Sequence, residues 1–122
     1  MLVIYDKKGF NRLLTLNPDE LKKLDLSGAC LKDANLVQYN LSGANLRDAN
    51  LQGADMRLTN LSDADFSGAN LMDTDLTGAI ITGAQFSGAQ LEGARLDMAA
   101  IKIARAGGAN VSGIKMDALL TE

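Results

Sequence analysis

From residue 24 to residue 118 the chain repeats a five-residue unit 19 times without insertion or deletion, and that spacing rules out most ways of folding it. The centre of the unit, Leu26 in the first copy and Met116 in the last, is large and apolar in 18 of 19 copies, with Ala106 the exception. The residue two before each centre is alanine in 14 copies, and the residue two after is Gly or Asp in 14. On a helix, steps of five drift by about 140° and draw no apolar stripe. On one long strand the same steps alternate between faces. Within a single unit the pattern is coherent: the alanine and the large centre lie two apart and point the same way, with the residue between them outward. Each unit therefore reads as a three-residue strand and a turn. Glycines such as Gly28, Gly43 and Gly68 fall on the turn position, where φ > 0 is needed, and Asp33, Asp48, Asp63 and Asp73 are the next most tolerant choice there. Turns that all bend the same way coil the chain, so that successive coils pair as parallel strands.

The runs DLSGACLKDANL (25–36), NLSGANLRDANLQGADM (40–56) and NLSDADFSGANLMDTDL (60–76) resemble the A-(D/N)-L-x-x unit of the pentapeptide-repeat family. The resemblance covers residues 24–118. It implies an all-β solenoid, a right-handed quadrilateral parallel β-helix with four units per coil, hence about five coils spanning roughly 24 Å at about 4.8 Å each. Residues 20 apart then stack. Leu26, Leu46, Phe66, Phe86 and Ala106 form one column, placing the two rings in adjacent coils. The alanines hold the corners, with Tyr39, Thr59 and Thr74 departing from the rule.

Residues 1–23 are read as an N-terminal segment with a capping helix, and 119–122 as a C-terminal tail or cap. Leu2–Tyr5 suits a short strand and Asp6-Lys7-Lys8-Gly9 a turn. Asn17, Pro18 and Glu20 form a helix start with a capping box, so residues 18–24 read as a short helix that covers the first coil. The outward position before each centre is Asn or Asp nine times running from Asn35 to Asp75; thereafter it becomes Ile80, Gln85, Gln90, Arg95, Ala100 and Arg105. The turn position also departs, at Met98 and Ile103, so the last coil is expected to distort.

With no histidine and one cysteine, the usual acid-base, nucleophile and Zn²⁺ sets are missing, and neither enzymatic activity nor a cofactor or metal is expected. Cys30 reads as an inert free thiol. The net charge of −3 gives no basic field for nucleic acid or an anionic membrane, so neither is an expected partner. No signal peptide or long apolar run stands in the sequence, which points to a cytoplasmic setting. Acidity concentrates in residues 25–78, with 3 basic and 8 acidic side chains. Two surfaces stand out. Asp33, Asp55, Asp73 and Asp75 gather on one edge of the stacked coils as an acidic strip. Leu58, Ile80, Met98, Ala100 and Ile103 place apolar residues at positions otherwise polar, and Ile114, Met116 and Leu119 fall at the open C-terminal coil; together these are the candidate interface. The expected function is a non-enzymatic protein-interaction or scaffold module binding another protein, with a homodimer through the loosened face or the C-terminal coil as one form. The family resemblance supplies the alternative, a DNA-mimicking, gyrase-binding protein of the quinolone-resistance type, which calls for a longer and more uniformly acidic rod. Thr77 and Thr82 do not build the regular ladder that ice binding requires.

Overall fold

A computed structural model of the chain describes residues 2–9, 11–16 and 24–114. The repeat folds as a coil whose successive turns pair in parallel at a spacing of 20 residues: Asp25 with Asn45, Cys30 with Asn50, Asn35 with Asp55, and onward in the same register to Asp75 with Arg95. Twenty residues are four units, so each coil has four sides, numbered here 1 to 4 from the side centred on Leu26. On every regular side the centre N–H donates to the carbonyl 19 residues ahead, as in Leu31 to Asn50 (2.7 Å) and Leu51 to Asn70 (2.8 Å). The outward residue donates back in turn, as in Asn50 to the Ala29 carbonyl (2.9 Å). The backbone polar groups of one coil are thereby satisfied by its neighbours.

Each corner is a four-residue turn closed by a bond from the alanine N–H to the preceding centre carbonyl, for example Ala34 to Leu31 (3.0 Å). Its third residue has φ > 0, the type II pattern. Asp33, Gln38, Asp48, Leu58, Asp63 and Asp73 adopt this conformation without being glycine. The Asn and Asp at the outward position have a task that their exposure alone does not suggest. Their side-chain oxygens accept the N–H two residues on, as in Asn45 from Arg47 (3.1 Å), Asp65 from Ser67 (2.9 Å) and Asn70 from Met72 (3.0 Å). Each such Asx turn fixes the entry to the next corner.

The centres and most corner alanines fill the interior, from Leu26 to Leu96. Phe66 and Phe86 stack with ring centroids 5.2 Å apart and planes inclined by 10°, as the column assignment requires. Two of the departures from alanine are buried and satisfied: Thr59 Oγ1 donates to the Leu36 carbonyl (2.6 Å) and Thr74 Oγ1 to the Leu71 carbonyl (2.8 Å). Tyr39, in the Thr59 column, reaches the Val3 carbonyl with its hydroxyl (3.3 Å).

The N-terminal end is covered by a hairpin. Strand β1 (Leu2–Tyr5) pairs antiparallel with β2 (Arg12–Leu16). β1 then joins the open edge of the first coil: Asp6 bridges Ala34, Asn35 N–H donates to the Tyr5 carbonyl (2.8 Å), and Lys7 N–H to the Asp33 carbonyl (2.8 Å). Tyr5 stands where a preceding coil would have supplied the acceptor, and Ile4 is fully buried. The expected strand and turn are present; the second strand was not anticipated. The capping helix expected at 18–24 has all but its last residue outside the described residues, and the tail 119–122 lies wholly outside them.

The C-terminal end corrects the expectation of an unbroken β-helix from 24 to 118. Helix α1 (Met98–Ala106) takes the place of two units, those centred on Ile101 and Ala106. Asp97 caps it, its carboxylate accepting the Ala100 N–H (2.7 Å). The cause lies in the turn column. Gly78 and Gly83, one coil earlier, have φ of 73° and 74°; a coil here would need the same of Met98, which the unbranched Leu58 shows to be tolerated in its column, and of Ile103, whose β-branch resists φ > 0 strongly. The ladder is broken accordingly, since Ile81 and Phe86 donate no bond to α1. The register survives: Gln90 bridges Asn110, and Leu91 N–H donates to the Asn110 carbonyl (2.9 Å).

Candidate interaction face

Side 4 and the corner leading into it carry the exposed apolar residues. Leu58 and Gly78 stack at that corner, and Leu58 folds across the glycine, leaving its Cδ2 only 2.7 Å from where a Cβ on Gly78 would sit; Met98, 20 residues further on, opens α1. Ile80 stands outward on side 4, paired with Asn60 one coil earlier. Leu58 is 56% exposed and Ile80 51%. Met98 and Ile103 extend the apolar surface onto α1 and are also exposed. Along this side Asn40, Ser42, Asn60, Ser62 and Thr82 are uncharged, with Arg57 at the leading corner and Asp63 at the far one.

Two of the expected interface residues need revision, and two cannot be placed. Ala100 faces inward and is buried, because α1 turns Ala100, Ile101 and Ala104 to the core. Ile114 is half-buried and packed against the core. Met116 and Leu119 lie outside the described residues. The sequence reading also missed what borders the patch: Arg95, Lys102 and Arg105 are exposed and make no ion pair among the described residues, whereas Lys7, Arg47 and Arg57 pair with Asp33, Asp65 and Asp55. The signal was the replacement of Asn and Asp by basic residues at outward positions.

The acidic strip forms in a different character from the one expected. Asp55, Asp73 and Asp75 line a notch of about 160 Å³, but Lys7 and Arg57 line it too. Asp33 leans over Gly53 at the notch, 3.9 Å from the Lys7 Nζ. Asp55 accepts from Arg57 Nε (2.8 Å) and Nη2 (2.7 Å), and these bonds hold its carboxyl below the usual range. Asp75 accepts from the Thr77 N–H (3.0 Å) and hydroxyl (2.6 Å). Two of the four carboxylates are thus tied to their own turns, and the notch presents both signs of charge. Cys30 is exposed and free.

Eight copies of the family model for pentapeptide repeats match residues 25–63, 40–78 and 59–97, a span that covers well over half of the chain. The chain belongs to the pentapeptide-repeat family. The match ends at Asp97, the residue that caps α1. Among solved structures, a pentapeptide-repeat protein from the thylakoid lumen of Arabidopsis thaliana is 29% identical, with a TM-score of 0.59 over 76% of this chain and 60% of its own. The pentapeptide-repeat protein Rfr23 from the cyanobacterium Cyanothece 51142 is 34% identical, also at 0.59, over 77% of this chain and 60% of its own. The chain therefore spans about 60% of the length of these relatives. QnrB1, a plasmid-mediated fluoroquinolone resistance protein, aligns at 22% identity with a TM-score of 0.29, too loose a superposition to carry an argument. No curated protein matches the chain. Among the described residues no helix is long and apolar enough to cross a membrane.

Proposed function

We propose that this pentapeptide-repeat chain is a non-enzymatic interaction module that docks another protein through side 4, its leading corner and α1. One observation carries the reading. Of the five large apolar side chains exposed among the described residues, Leu58 and Ile80 belong to side 4 and its leading corner and Met98 and Ile103 to α1, which replaces the next unit of that side; Tyr5 belongs to the N-terminal hairpin. The uncharged Asn60, Ser62 and Thr82 around Ile80, with charges at the margins, fit the charge-depleted centre and polar rim of a protein contact. A ladder-bonded coil also keeps its side chains in place before a partner arrives, which lowers the ordering cost of association.

Site-specific photocross-linking tests this. A benzophenone amino acid placed at Ile80 gives a discrete adduct in cells that express the protein, and the same group at Asn70, on side 2, gives none. Equal adducts at both positions, or none at Ile80, would overturn the assignment of the face. An adduct of twice the chain's mass identifies the partner as a second copy.

A further inference from the structure

The outer surface of α1 is unusual for a helix at a protein surface. Seven of its nine residues are Ala, Ile or Met, and Lys102 and Arg105 are its only charges. A helix that is apolar around most of its circumference is ordinarily covered on both faces. Here Ala100, Ile101 and Ala104 are covered by the core, while Met98, Ala99, Ile103 and Ala106 are exposed. At 100° per residue, Ala99 and Ala106 fall in the middle of the exposed arc, with Ile103 on one flank and Lys102, then Met98, on the other. Small residues between two larger ones form a groove that lets a second helix approach to the short interaxial distances of packed helices.

The charge around that groove indicates what fills it. Lys102 and Arg105 lie on the Met98 side of the exposed arc, and Arg95 precedes the helix, each without a carboxylate partner among the described residues. The nearest acid in sequence, Asp97, spends its side chain on the Ala100 N–H. In a chain of net charge −3, residues 95–106 carry three basic side chains and one acidic, with Asp75 beside Arg95 one coil earlier. A strand is a poor occupant, since the ladder edge at Ile81 and Phe86 that would receive one belongs to the path α1 follows. A second copy of the chain would set Lys102 and Arg105 near their own counterparts.

We propose that the exposed face of α1 docks an acidic amphipathic helix of the partner protein, its apolar residues at i, i+3, i+4 and i+7 seated over Ala99 and Ala106, and its carboxylates reaching Arg95, Lys102 and Arg105. This rests on side 4 and α1 being the contact face, and it adds the chemistry of the occupant.

The test is selection of a phage-displayed library of random 16-residue peptides on the full chain, with counter-selection on a Lys102→Glu/Arg105→Glu variant whose far-UV circular dichroism matches the wild type. Selected peptides are expected to be net acidic with apolar residues at helical spacing. Synthetic versions are expected to bind the charge-reversed variant at least about tenfold more weakly and to lose affinity as salt rises. Peptides without acidic bias, peptides that bind the variant equally, or no enrichment at all would overturn the proposal. If photocross-linking at Ile80 still yields a partner in that case, the contact face stands and only the acidic helix falls. If neither gives a product, both fall.

Discussion

Replacing Gly68 with alanine puts a Cβ against the carboxylate of Asp48, the residue one coil earlier in the same turn column. That Cβ would overlap Asp48 Oδ1 and stand 3.4 Å from its Cγ. Gly43 is the matched control: its φ is 71°, identical to that of Gly68, and a Cβ there meets nothing within 4 Å. Both substitutions carry the cost of an L-residue in the left-handed region, about 1–2 kcal/mol. Gly68→Ala adds the cost of forcing the Asp48 side chain from its rotamer, about 0.5–1.5 kcal/mol. In an Asp48→Gly background the obstacle is gone, so the cycle between positions 48 and 68 should show a coupling of about 0.5–1.5 kcal/mol. Urea unfolding followed by circular dichroism measures all five proteins. Equal losses for Gly43→Ala and Gly68→Ala, together with no coupling to Asp48→Gly, would refute the reasoning. The argument extends along the chain, since Asp33, Asp63 and Asp73 each lean over a glycine 20 residues on.

Other perturbations read other parts of the structure. Met98→Gly with Ile103→Gly restores turn-competent residues to the column of Gly78 and Gly83, and the helical signal at 222 nm should fall as α1 gives way to coil; an unchanged spectrum would show that turn chemistry does not decide the break. Thr59→Val removes the buried bond to the Leu36 carbonyl and should cost about 0.5–1.5 kcal/mol in urea unfolding. The carboxyls of Asp25, Asp55 and Asp65 lie below the ordinary 3.8, held down mainly by bonds from Ser27, Arg57 and Ser67 respectively. With folded values depressed, their stabilisation is fully present above the unfolded value and is lost as pH falls through the folded ones, below 3.8. Thermal midpoints should therefore drop on acidification through that range and change little above it for these groups.

The regular part of the coil was legible because its constraints are local and repeated. A large residue, an alanine two before it and a turn residue two after it decide one unit, and stacking repeats the decision; Phe66 over Phe86 follows directly. The Asn and Asp run was seen but not understood, since the bond from Asn45 to the Arg47 N–H depends on corner geometry that no spacing reveals. α1 was hidden for a definite reason. Ala99, Ala104 and Ala109 keep the five-residue register through it, so pattern favoured coil while β-branched Ile103 at a turn position opposed it. Strand β2 has no repeat to betray it, and its place is set by the edge that β1 covers. The apolar patch was visible as Leu58, Ile80, Met98 and Ile103, but the inward turn of Ala100 and the role of Arg95, Lys102 and Arg105 needed the helix.

Trans-hydrogen-bond couplings between backbone nitrogen and carbonyl carbon, recorded by nuclear magnetic resonance, test most directly both the coil and the break that creates the contact face. Couplings are expected from Leu31 to Asn50, Leu51 to Asn70, Leu71 to Gln90 and Leu91 to Asn110, each 19 residues apart, and none from Ile81 to Ala100 or from Phe86 to Arg105. Couplings at the latter two pairs would mean an unbroken coil without α1, and their absence from the first four would mean that the chain does not stack at 20 residues.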